Sequence, residues 1–219
     1  MTLHRFMLPV LMASILVACA TAPGIPETTY HRLPEPVGIE RMAEAVVDLP
    51  IVVDAFVADG LYADQALIYA LDEDAARLRT YHFQLWIDPP ARLMQRRMIK
   101  VLRTAQAARV VTDQLPTSMQ TLRVRGRIVR LERLRAAAGW EVVAGLVLRV
   151  EPSAGGRPWV IGDYRQRVVA DGERVADSVR ALGTALDRIA EDFLMDLSTQ
   201  AKARGESEKL LQIHQVGAH

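Results

Sequence analysis

Three arginines in the middle of the chain have the spacing of a side-chain stripe. Arg123, Arg125 and Arg127 alternate with apolar residues in the segment 122–134. Such alternation predicts a β-strand that carries the three guanidinium groups on one face. Arginine binds carboxylates and phosphates through paired hydrogen bonds. Two interpretations follow: a solvated strand face paired with nearby acids, or a contact surface for an acidic partner or lipid headgroups.

A second candidate surface is the aromatic-rich segment 62–86. Aromatic residues make up only 5% of the sequence, and this segment holds Tyr62, Tyr69, Tyr81, Phe83 and Trp86. Tyrosine and tryptophan are common anchors of protein interfaces, but they also fill cores. The pattern leaves both a buried cluster and a docking surface open.

The sequence lacks the constellations that carry catalysis. It has no HExxH zinc motif, no G-x-S-x-G nucleophile elbow, no Walker lysine and no dinucleotide-binding glycine pattern. The histidines have no ligand-like spacing, and the acids at 72–74 lack the order of a calcium loop. We therefore expect a protein that is not an enzyme, with no catalytic residue, no metal site and no bound cofactor.

The single cysteine, Cys19, follows a short basic start at Arg5 and an apolar run over residues 6–18. A transmembrane helix needs about 20 apolar residues, so the run fits a secretory signal better. The segment Leu16-Val17-Ala18-Cys19 resembles the lipobox of bacterial lipoproteins, in which cleavage precedes a cysteine that carries a diacylglyceryl thioether and usually a further acyl chain. The alternative is an ordinary signal peptide with a chance cysteine or a free thiol. Ala20 stands where the sorting rule of that class places aspartate for inner-membrane retention, which favours the outer membrane.

Composition sets the remaining bounds. Hydrophobic residues make up 50% of the chain and the formal net charge is +1, from 27 basic and 26 acidic residues. This balance is typical of a globular domain. The net charge is too small to attract the whole protein to nucleic acid electrostatically. We divide the chain into a signal peptide at 1–18, a lipid anchor and proline-rich tether at 19–38, a folded domain at 39–203 and a polar tail at 204–219.

The patterning of the domain predicts one α+β fold, a mainly antiparallel sheet with two long helices packed on one face. Strands are predicted at 51–57, 67–70, 78–86, 109–112, 122–134, 140–150 and 159–169, with a bulge near Gly126. A helix should start after Asp88 as its N-cap and run to Ala105. The last helix carries apolar residues at spacings of three and four from Val175 to Leu197. The acids on its other side, including Asp187, are interpreted as a solvated face paired with Arg188.

The order of these features resembles the ABC-type transport auxiliary lipoprotein component family. The resemblance rests on the lipobox, on Tyr30 and Leu33, on the strand residues 67–69, on Pro89 and Pro90, and on the stretch 124–126. It rests also on Tyr62, Asp64, Tyr81, His82 and Trp86. From these motifs, the aromatic segment and the arginine stripe together, we predict partner-binding roles for one set of residues: Tyr62, Asp64, Tyr69, His82, Trp86, Arg123, Arg125 and Arg127. The resemblance implies a non-catalytic lipoprotein at the periplasmic face of the outer membrane, working with an MCE-domain protein and inner-membrane components in lipid transport.

Other classes of function stay open from the residues alone. One is a stand-alone periplasmic lipid- or small-ligand-binding lipoprotein, which needs an apolar pocket between the helices and the sheet. Another is an assembly factor for an outer-membrane protein. Self-association into a homo-oligomer is a further open expectation.

Overall fold

A computed structural model describes residues 26–216, with side chains through residue 207. The signal peptide and the lipidation prediction at Cys19 lie outside the described residues. The described part forms nine strands: β1 (Thr29–His31), β2 (Ile51–Val53), β3 (Val57–Ala58), β4 (Ala66–Ala70), β5 (Leu78–Trp86), β6 (Val111–Thr112), β7 (Leu122–Ala136), β8 (Gly139–Pro152) and β9 (Val160–Val169). It also forms two α-helices, α1 (Pro90–Thr104) and α2 (Val175–Val216).

The prediction of one α+β domain is confirmed, with a sheet that is mixed. The long pairings of β7 with β8 and of β8 with β9 are antiparallel, as predicted for the final three strands. The short strands β2, β3 and β4 instead run parallel to β7 and pair with successive segments of it. The 15-residue strand β7 thus pairs with three short strands along one of its edges. The segment 51–70 runs along that edge.

The irregularity in β7 lies at a different residue from the predicted one. The register with β8 shifts between Ile128 and Arg130, so the bulge is at Val129 and not near Gly126. Gly126 has another role: a β-carbon there would lie 2.2 Å from Cε2 of Phe56. The glycine allows the buried Phe56 ring to pack directly against the strand backbone.

Replacing Gly126 by alanine should therefore destabilise the domain. The added methyl group overlaps a ring with little room to move, and overpacking of this kind costs about 1–3 kcal/mol. Urea denaturation measures the change. The control is Gly205→Ala, since a methyl group at that helical position meets no atom within 4 Å and alanine favours a helix. Equal stabilities for Gly126→Ala and the wild type would contradict this account of Phe56 packing.

Both helices cover one face of the sheet and share its core. The predicted apolar stripe of α2 is buried from Val179 to Leu197, and Phe193 and Ile189 are fully enclosed. From α1, Met94, Met98, Val101 and Leu102 enter the same cluster as Leu146 and Leu148 of β8. The core is formed by residues far apart in sequence, so it holds both helices against the sheet.

Three details differ from the sequence predictions. Thr29–His31, placed in the tether, forms an edge strand parallel to β5. Helix α1 has Pro89 as its N-cap without a side-chain cap, because the Asp88 carboxylate binds Arg96 instead, at 2.5 Å. Helix α2 continues past Ala203 to Val216, beyond the start predicted for the polar tail.

Candidate partner-docking surface

The predicted arginine stripe lies on the face of β7 that points away from the helices. Leu122, Val124 and Ile128 are fully buried, whereas Arg125 and Arg127 are exposed and Arg123 is half-buried. Strand alternation therefore separates core and surface as the sequence indicated.

Carboxylates from the parallel strands reach this stripe. Asp54 directly follows β2 and binds both Arg123 and Arg125, with the two Nε atoms each 3.1 Å from its Oδ2. Asp59 directly follows β3 and accepts a hydrogen bond from Arg127 Nη1 at 2.7 Å. Because β2 and β3 run parallel to β7, their ends place each acid beside an arginine.

Strand β8 extends the network. Glu151 binds Arg125 at 2.8 Å and Arg149 at 2.5 Å, so the stripe is a chain of shared ion pairs. The sequence did not identify four members of this network: Asp54, Asp59, Arg149 and Glu151. Arg165 and Arg167 of β9 lie on the same outer face, where Arg167 pairs with Glu141. The alternation of charged residues in β9 was the available signal.

The aromatic segment divides between core and surface. Trp86 and Tyr62 are only 2% and 9% exposed, so the partner-binding prediction does not extend to their side chains in this structure. Tyr62 lies beside the buried Glu132, and burial together with that carboxylate raises the pKa of its hydroxyl. Both residues belong to the main hydrophobic core of the domain.

The other residues of that segment lie nearer the surface. Asp64 and His82 are exposed. Tyr69 is half-buried and stacks on Tyr81 with ring centroids 4.4 Å apart. The structure thus brings Arg123, Arg125 and Arg127 together as one surface, whereas Asp64, Tyr69 and His82 belong to the β4–β5 part of the sheet.

A buried ion pair joins both helices to the segment after β1. Arg97 of α1 binds Asp187 of α2 at 2.5 Å, and both side chains are more than nine-tenths buried. Arg97 also donates to the carbonyls of Pro34 and Gly183. Burial lowers the pKa of Arg97 and raises the pKa of Asp187, while each partner opposes the shift of the other.

The prediction that Asp187 is solvated and paired with Arg188 is therefore wrong. Arg97 stands among the apolar positions of α1, three residues after Met94 and one before Met98. A charged residue inside an apolar helical stripe was the signal for a buried partner. Because Arg97 and Asp187 are 90 residues apart in sequence, local patterning could not identify which acid pairs with Arg97.

The space between helices and sheet is nearly filled. The cavity there has a volume of about 10 Å³ and is bordered by Phe56, Met94, Leu146 and Leu186, at the lower limit for one water molecule. At least three open clefts lie on the surface of the described residues, one of them of about 240 Å³ beside Arg123 and Arg125. One of about 370 Å³ borders α1 and residues 32–36, and one of about 920 Å³ lies between the β8–β9 hairpin and α2.

Other kinds of site find no support in the described part of the chain. Among the side chains that the structure describes, at residues 26–207, no three histidine, cysteine or acidic groups converge as metal ligands. Within the described elements, neither helix has the length and apolar character needed to cross a bilayer. What the described structure offers is an exposed, charge-paired sheet face.

Comparison with known proteins agrees with this description. The family model described as ABC-type transport auxiliary lipoprotein component matches residues 43–193. The fold is similar to the crystal structure of XCC0632 from Xanthomonas campestris, assigned to family DUF330, with a TM-score of 0.67 and 12% identity over 81% of this chain and 99% of that one. It is also similar to the crystal structure of an uncharacterised protein, with a TM-score of 0.62 and 13% identity over 78% of this chain and 99% of that one. No curated protein matches the sequence significantly.

The matched region covers most of the chain and includes β2 to β9, α1 and the first half of α2. The structure thus defines the class of the protein as a single α+β domain with a filled core. The chain belongs to the ABC-type transport auxiliary lipoprotein component family. Its family is thus one of accessory lipoproteins of transport systems.

Proposed function

We propose that this protein is a non-catalytic lipoprotein anchored through Cys19 at the periplasmic face of the outer membrane. There it docks an MCE-domain protein that connects to inner-membrane transport components and carries lipid across the envelope. The family match over residues 43–193 carries the proposal. The lipobox-like sequence before Cys19 and the alanine at position 20 support the anchor and its sorting.

Docking explains the structure better than ligand binding. A stand-alone lipid-binding protein needs an enclosed apolar cavity of some 300 Å³ or more, whereas the cavity bordered by Phe56, Met94, Leu146 and Leu186 has about 10 Å³ and the larger clefts are open to solvent. An exposed face rich in arginine is available instead, and arginine is enriched at protein interfaces. We assign the partner to the outer face of β7, around Arg123, Arg125 and Arg127. Self-association stays a prediction.

The docking role is tested by Arg123→Gln, Arg125→Gln and Arg127→Gln in one variant. Capture of the MCE-domain partner after mild crosslinking should fall about tenfold, the effect of losing one interface hot spot. Folding should change little, since each exposed ion pair contributes only about 0.2–1 kcal/mol.

The matched control removes the same charge elsewhere, at the exposed residues Arg77, Arg109 and Arg188, each changed to glutamine. It should capture the partner as well as the wild type does. If the stripe variant also captures the partner normally, the stripe is a solvated face paired with acids and the docking surface lies elsewhere.

A further inference from the structure

An exposed apolar patch lies where the chain enters the fold. In the parallel pairing of β1 with β5, Tyr30 is opposite Leu85. Phe83 and Ile87 flank Leu85 at two-residue spacing and so share its face. Tyr30 is 60% exposed, and Phe83 and Ile87 are both more than one-third exposed. Three large apolar side chains therefore border water at one edge of the sheet.

Basic side chains lie next to this patch. Arg32, Ile87, Arg96 and Lys100 all border the 370 Å³ cleft. Helix α1 contains five basic residues and no acid, and the exposed ones, Arg92, Arg96, Lys100 and Arg103, follow at spacings of four, four and three on one helical face.

Only some of these charges take part in ion pairs. Arg96 pairs with Asp88 at 2.5 Å and Lys100 with Glu35 at 2.6 Å. Arg32, Arg92 and Arg103 make no ion pair with any other described residue. We call Tyr30, Arg32, Phe83, Ile87, Arg92 and Arg96 the anchor-side surface, which combines exposed rings, an aliphatic side chain and unpaired positive charge.

The position of the tether decides what can cover this surface. Only residues 20–28 separate Cys19 from β1. At about 3.5 Å per residue, that segment holds the start of β1 within about 35 Å of the lipidated cysteine. A membrane that holds Cys19 is thus the nearest extended surface to the anchor-side residues.

We propose that the anchor-side surface lies on the membrane, with its arginines on anionic phospholipid headgroups and its apolar side chains at the headgroup–acyl boundary. The inference rests on the proposed lipid anchor. Aromatic rings favour this depth, and each basic residue near an anionic surface adds attraction. The lipid then holds the protein while the surface fixes its orientation on the membrane.

The test uses the full lipidated chain in vesicles and a spin label at Ile87→Cys. Because the sequence has one cysteine, and lipidation consumes its thiol, the introduced thiol is the only one available for labelling. The matched control is Ile161→Cys, an exposed isoleucine on β9. Accessibility to lipid-soluble oxygen and to a water-soluble nickel chelate reports the depth of each label.

In vesicles of phosphatidylcholine and phosphatidylglycerol, we expect the label at position 87 to contact lipid and the label at 161 to contact water. In pure phosphatidylcholine the label at 87 should move to water. Adding Arg32→Gln and Arg92→Gln should lower the docked-to-undocked ratio about fivefold for each arginine.

Flotation of the vesicles separates this inference from the anchor. If the protein floats and the label at 87 is as aqueous as the label at 161, the docking inference is overturned and the anchor stands. If docking is unchanged in pure phosphatidylcholine or in the double variant, the proposed recognition of anionic headgroups is overturned. If the protein does not float, the anchor fails and this inference fails with it.

Discussion

Replacing Arg97 by methionine should lower the free energy of unfolding by about 3–5 kcal/mol, because the change leaves a buried carboxylate without its partner. Asp187 would keep the backbone N–H of Val37 as a donor but lose the guanidinium 2.5 Å away. The carbonyls of Pro34 and Gly183 would lose their donor as well. Urea denaturation of the variant measures the loss.

Two matched variants show whether burial is the cause. Arg96→Met makes the same change one residue away, where the pair with Asp88 is partly exposed, and should cost at most about 1 kcal/mol. The double variant Arg97→Met with Asp187→Leu removes both charges and should recover most of the stability. Equal losses for Arg97→Met and Arg96→Met would show that the pair does not constrain the helices.

The loss should also depend on pH in a defined direction. Burial raises the pKa of Asp187, and Arg97 opposes that rise, so removing Arg97 raises the pKa further. A carboxyl group with a raised pKa in the folded state stabilises that state while protonated and loses this contribution as the pH rises through the folded value. The deficit of Arg97→Met should therefore be smaller near pH 4 than near pH 7.

The second large effect is expected at Cys19. Cys19→Ser should abolish the added lipid mass and move the protein from the membrane fraction to the soluble fraction. The physical reason is that a buried CH₂ group contributes about 0.8 kcal/mol, so two or more acyl chains anchor stably, whereas surface contacts alone bind reversibly. Mass spectrometry of the N-terminal peptide measures the added lipid mass. Fractionation after a high-salt wash measures how much protein stays with the membrane.

Ala20→Asp is the control for this change. By resemblance to the lipoprotein sorting rule, the variant should keep its lipid and stay in membranes, but move from the outer to the inner membrane. The high-salt wash removes attraction that depends on the anchor-side arginines, since salt screens exposed charges. Cys19→Ser protein that remains in washed membranes and keeps its activity would mean that the anchor is not at this cysteine.

Local patterning predicted the parts of the fold that depend on neighbours in sequence. The bounds of β5 match the predicted strand at 78–86, and the stripe of α2 faces the core as its spacing indicated. The β7–β9 meander followed from alternation and a Gly-rich turn. Each of these elements is long enough for its own periodicity to set its buried face.

Long-range pairing could not be read in the same way. Strands β2 and β3 have three and two residues, too few to show a register, and their parallel alignment depends on the length of β7. Burial of Asp187 depends on Arg97 in another helix. In the docking surface, alternation located the arginines, but their acids lie just after β2, just after β3 and in β8.

Crosslinking and native purification of the lipidated full chain, followed by mass spectrometry of the bound proteins, tests the central claim most directly. The account predicts recovery of an MCE-domain protein together with inner-membrane transport components. Recovery of bound lipid without such a partner would contradict it and indicate a stand-alone lipid-binding lipoprotein.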